Sequence, residues 1–153
     1  MISRAAFLAS LFVAAFVAMS VLPSAQARKV TITYFKTPSH NIVCMFAGGL
    51  AGTKPFVACG IKSGLKPPPP KLRCQEGDPT DEFVGLEQTG RATEPSCAGD
   101  PGPFVGEKQA KVLRYGKTFS RRGLRCKSAV AGLTCRNKSG HGFFLSRAHS
   151  HRF

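Results

Sequence analysis

A chain of 153 residues with 22 Lys and Arg against eight Asp and Glu has a formal charge of +14, and it carries six cysteines and no tryptophan. That length holds one domain, and base in such excess favours solubility or an acidic partner over any particular fold. Zinc is disfavoured by cysteines too widely spaced to chelate it, and past the first two dozen residues nothing is apolar enough to cross a bilayer.

The chain begins with a leader. Arg4 supplies a positive start, Ala5 to Val21 is almost wholly apolar, and Ala25-Gln26-Ala27 is an A-x-A cleavage site. The expected organisation is a removed signal peptide over 1–27 and one β-rich, disulfide-stabilised domain over 28–153, secreted or periplasmic. All six cysteines, Cys44, Cys59, Cys74, Cys97, Cys126 and Cys135, fall in the exported part. An even count there reads as three disulfides. Of the fifteen connectivities we favour sequential pairing, Cys44 with Cys59, Cys74 with Cys97 and Cys126 with Cys135, because each would staple a local hairpin or loop.

Lys29 to Phe35 alternates as a strand, with Val30, Ile32 and Tyr34 on one face and Thr31, Thr33 and Phe35 on the other. Thr37 to Asn41 is turn chemistry. Ile42 to Phe46 resumes as strand, glycines interrupt, and Phe56 to Ile61 returns as its hairpin partner. Lys66 to Lys71 encloses four prolines, a polyproline II spacer. Gln75 to Glu107 is rich in Gly, Pro and acids; only Glu82 to Leu86 looks like a strand, so the segment reads as a long loop. Lys111 to Tyr115 is strand-like.

The focal stretch runs from Gly123 to Arg147. Leu124 precedes Cys126 by two positions, as Leu133 precedes Cys135, and residues two apart on a strand share a face. Each strand therefore offers a leucine and a sulfur to one interior. Ser128 to Gly132 and Asn137 to Gly140 are turns, so the stretch predicts a three-stranded antiparallel meander. Asn137-Lys138-Ser139 matches a glycosylation sequon but reads as the turn itself. No apolar 3.6 period survives the glycines and prolines, and no helix of useful length is expected. The fold class is all-β: a small disulfide-stapled antiparallel meander or incomplete barrel with a long Pro/Gly-rich acidic loop, and with Tyr34, Ile42, Leu124, Leu133, Phe143 and Leu145 in its core.

Charge is unevenly placed. Every carboxylate side chain lies between Glu76 and Glu107, while the segments before and after it are purely basic. The bland reading is solubility and internal pairing of the acidic segment with its flanks; the sharper one is a cationic face for an acidic partner.

Two stretches, Phe35-Lys36-Thr37-Pro38-Ser39-His40-Asn41-Ile42-Val43-Cys44 and Gly132-Leu133-Thr134-Cys135-Arg136-Asn137 with Gly140 to Arg147, resemble a family of small exported bacterial proteins known only as a domain of unknown function. The resemblance implies export, disulfides and a β-rich domain, and no activity. It departs at His40, where the family pattern has glycine, so it implies no shared role for that imidazole.

For chemistry, the candidate is an anion-binding group of Arg136, Lys138, Gly140, His141, Gly142 and Arg147, in which backbone N–H groups around Gly140-His141-Gly142 would form a nest. The competing reading gives the glycines to the turn. His149-x-His151 places two imidazoles on one face if extended, but two ligands at a chain end make a poor metal site. No nucleophile elbow, His-Glu-x-x-His or phosphate loop is present. The expectation is an exported, non-catalytic binding domain with no metal and no cofactor. Its partner would be an acidic envelope glycan or lipid, with unspecific nucleic-acid binding also open. The alternatives are a ribonuclease-like hydrolase using His40 and His141, or a structural or stress-related envelope protein.

Overall fold

The computed structural model describes residues 29–49, 51–68, 82–97 and 102–153. The expected leader and Pro69 to Lys71 of the proline run lie outside these residues. Among the described residues eleven strands follow in order: β1 (Thr31–Lys36), β2 (Ile42–Gly48), β3 (Phe56–Ile61), β4 (Glu82–Glu87), β5 (Ser96–Cys97), β6 (Lys111–Val112), β7 (Thr118–Arg121), β8 (Leu124–Ala129), β9 (Gly132–Arg136), β10 (Gly142–Leu145) and β11 (Ser150–Arg152). A seven-residue 3-10 helix, Pro103–Gln109, precedes β6.

These strands form two sheets that do not close into a barrel. The six-stranded sheet has the order β5-β4-β3-β2-β1-β6, and the five-stranded sheet β11-β10-β9-β8-β7. Neighbours pair antiparallel except β1 with β6. The class is all-β, as the alternation indicates. The focal meander is present as β8, β9 and β10, widened by β7 on one side and β11 on the other. The acidic segment is more than a loop: β4 is a central strand whose Val84 and Leu86 are buried, and the 3-10 helix lies further along it.

The sheets face each other across one core. Phe35, Ile42, Phe46, Val57, Ile61 and Leu86 from the first meet Leu124, Leu133, Phe143 and Leu145 from the second. Each inward leucine of β8 and β9 is followed on the same face by its cysteine, and all four residues are fully buried. Cys44 stands directly opposite Cys59, and Cys126 opposite Cys135. Both pairs are disulfides, with Cα atoms 4.1 and 4.0 Å apart, the close spacing of facing residues that share no ladder hydrogen bonds. The third expected pair falls on side chains outside the described residues.

Tyr34 is the one member of the expected core that lies elsewhere. It is half-buried on the outer face of the six-stranded sheet, where the 3-10 helix covers it; a Cβ on Gly106 would sit 2.1 Å from its ring, so the helix backbone rests on the phenol. Phe35, on the opposite face of β1, enters the core and stacks on Phe119 of β7 at 4.5 Å. Alternation with apolar residues on both faces fixes a strand without saying which face is interior.

Candidate functional site

Among the described residues the 3-10 helix covers the outer face of the six-stranded sheet, which leaves open the outer face of the five-stranded one. Its composition follows from the alternation. With Leu124, Cys126, Leu133 and Cys135 inward, Arg125, Lys127, Thr134 and Arg136 must point outward. Register then sorts them into rows. One runs Thr118, Lys127, Thr134, Phe144, His151 across all five strands, and the next runs Ser120, Arg125, Arg136, Gly142. Two backbone hydrogen bonds between Gly142 and Phe153, at 2.9 and 3.0 Å, extend the second row to the last residue. Only glycine fits beneath that ring: a Cβ at Gly142 would lie 2.8 Å from it and 2.0 Å from the Cys135 carbonyl oxygen.

Arg125 and Arg136 stand directly opposite each other on β8 and β9. Like charges in that position are destabilising, and among the described residues neither has a carboxylate partner. The Arg136 guanidinium instead lies 4.4 Å from the centroid of the Phe153 ring. Arg125, Lys127 and Arg136 are exposed and, with Thr118, Thr134 and Asn137, border an open hollow of about 400 Å³. The described carboxylates are spent elsewhere: Glu87 on Lys54 at 3.7 Å, Glu107 on Lys62, Glu94 on Arg152 at 2.6 Å, while Glu82 is buried.

The six residues of the anion-binding candidate are only partly gathered. Gly140 donates its N–H to the Asn137 carbonyl and Gly142 donates to Phe153, so these two donors are engaged within the protein. The glycines serve the turn. Lys138 is exposed and folds its stem over Gly123. Arg147 sits at the far end of β10, beside the Ala129–Gly132 turn and about 16 Å along the strand from Arg136. His141 is half-buried in a separate cleft of about 570 Å³ with Arg91, Glu94, Arg152 and Phe153. His40 occupies the turn at the Ile42 end of β2, whereas His141 lies near the Gly48 end, roughly 20 Å away along the seven-residue strand. The two imidazoles that a ribonuclease-like mechanism would use are therefore not brought together.

Asn137 confirms the turn reading of its sequon. Its side-chain amide donates to the carbonyls of Glu87 and Gly90 at 3.1 and 2.6 Å, and its Oδ1 accepts from the Ser139 N–H at 3.0 Å. This buried residue fastens the end of β9 to the other sheet.

Sequence reasoning missed Arg125 and Lys127 as site residues, along with Phe144, His151 and Phe153. The signal for the first two was present: assigning Leu124 and Cys126 to the interior obliges the residues between and after them to face solvent. Among the described residues no group of three or more His, Cys, Asp or Glu is placed to hold a metal.

No curated protein and no solved structure matches the chain. One family model, described as a family of unknown function (DUF6636), matches residues 14–153.

Proposed function

The chain belongs to this family of unknown function, and we propose that it is an exported, non-catalytic binding domain whose cationic sheet face engages an acidic glycan or the acidic headgroups of a lipid. The observation that carries the reading is Arg125 set directly against Arg136, with Lys127 beside them and no carboxylate partner among the described residues. Such a cluster costs folding free energy that an anionic partner would return. A flat face served by side chains from several strands suits a repeating polyanion better than a single small molecule. Export is supported by the two core disulfides, which need an oxidising compartment to form. Among the described residues no helix is long and apolar enough to cross a membrane.

The test compares two charge-reversed variants on immobilised heparin and on lipopolysaccharide across a salt series. Arg125→Glu with Arg136→Glu should lower affinity at least about tenfold and flatten the salt dependence, since fewer counterions are released. Lys54→Glu with Lys62→Glu should cost little, because both lysines are already neutralised by Glu87 and Glu107. Equal losses in the two variants would make the charge a diffuse solubilising field and remove the site.

A further inference from the structure

The C-terminal strand adds imidazole to this face. His149 and His151 have ring centroids 5.0 Å apart. His151 in turn lies 5.5 Å from Phe144 and 5.8 Å from Phe153, and Phe153 carries the Arg136 guanidinium on its ring. A continuous strip thus runs from His149 through His151 and Phe153 into the arginine row. The strand bearing it is pinned at both ends: Phe153 to Gly142, and Ser150 to Lys66 through its N–H at 2.6 Å and its hydroxyl at 2.8 Å. The turn before it is closed by Ser146, whose hydroxyl donates to the His149 carbonyl and accepts from its N–H. Both histidines are exposed, and neither has a side-chain hydrogen-bond partner among the described residues.

We propose that His149 and His151 are binding residues of the polyanion face and engage their partner in the protonated form, so that acidification strengthens binding. The inference rests on the cationic-face reading above. Its physics is linkage. Protonating both rings puts two like charges 5.0 Å apart, in a neighbourhood already supplied with Lys127 and Arg136 on the same face, Arg147 in the preceding turn, and Lys66 and Arg152 at the strand's free edge. The single described side-chain carboxylate at that edge, Glu94, is engaged by Arg152. A polyanion bound across this face gains attraction to the two imidazolium groups that neutral rings do not offer, so proton uptake and polyanion binding favour each other by the same factor. Imidazole is the side chain whose ordinary titration falls between pH 5 and 8, so charge is gained as pH falls through that window and lost as it rises.

Heparin is the probe, because its sulfates stay ionised throughout. Affinity is measured at about pH 5.5 and about pH 8. The protein should bind at least about fivefold tighter at the lower pH, and the log–log salt dependence should steepen by about one to two for the two added contacts. His149→Gln with His151→Gln should bring the affinity ratio between the two pH values close to one. His40→Gln, which lies in the turn before β2 and leaves both imidazoles of the strip in place, should keep the full ratio. Nuclear magnetic resonance titration of the imidazole protons should show the midpoints of both rings move to higher pH when a heparin oligosaccharide is bound. Binding that is equally tight at both pH values, or an acid gain that survives the double substitution, overturns this inference and leaves the arginine face standing. Absence of heparin binding at either pH overturns both.

Discussion

Arg136 ends β9 and Phe153 follows β11, two strands that are not neighbours, yet the guanidinium of one covers the ring of the other, 4.4 Å from its centroid, across the bare backbone of Gly142. The contact seats an arginine that like-charge repulsion from Arg125 would otherwise push away, and it ties the last residue of the chain to the middle of the sheet. A double-mutant cycle with Arg136→Ala and Phe153→Ala, read by urea denaturation, should return a coupling of about 0.5 to 1 kcal/mol. A coupling near zero would mean that the two groups merely lie close.

The two described disulfides each join directly facing residues, and they close loops of different length, with sequence separations of 15 for Cys44–Cys59 and 9 for Cys126–Cys135. On the chain-entropy model their removal should cost about 3 and about 2.5 kcal/mol respectively. Paired Cys→Ala variants compared with the oxidised protein would measure this. The order of the two losses tests whether chain entropy dominates, since both sulfur pairs are equally buried and leave similar gaps.

Asn137 should be the most sensitive polar position outside the disulfides. Asn137→Ala leaves the Glu87 and Gly90 carbonyls and the Ser139 N–H without their partner at a part-buried site, a loss of about 1 to 2 kcal/mol by equilibrium unfolding. Asn137→Asp should be no better, because a carboxylate cannot donate to the two carbonyls it would face.

His40 has a φ of 55°, in the left-handed region, with its side chain exposed. Glycine adopts that conformation without a Cβ penalty. His40→Gly should therefore stabilise the domain by about 0.5 to 1 kcal/mol, visible as a small rise in thermal midpoint. A destabilised variant would mean that the imidazole makes a contribution the turn geometry does not reveal.

The interior was legible wherever a strand carried one apolar and one polar face. Leu124 with Cys126 and Leu133 with Cys135 announce their side of the sheet, and the cysteine pairings Cys44–Cys59 and Cys126–Cys135 follow from the hairpins around them. Tyr34 was misplaced because both faces of β1 are apolar, and the outer one is explained by a helix more than sixty residues later. Within the acidic segment Glu82 to Leu86 was legible as a strand, and β4 is found at Glu82–Glu87; its place between β3 and β5 and the 3-10 helix at Pro103–Gln109 were not, because both depend on partners distant in sequence. At the site, attention to the glycine-flanked His141 obscured the plainer alternation of Arg125 and Lys127. Placing Arg147 near Arg136 required knowing how far β10 runs between them, and that is a matter of distance along a strand, which residue types alone do not convey.

The pairing of Glu87 with Lys54 and of Glu107 with Lys62 also has a consequence for motion in solution. Among the described residues these acids are held against the six-stranded sheet, where they screen its lysines, while Arg125 and Arg136 of the other sheet stay unscreened. If that face is the binding site, a negatively charged surface should feel those arginines from about a Debye length away, roughly 8 Å at physiological salt, and approach from that side should be the favoured one.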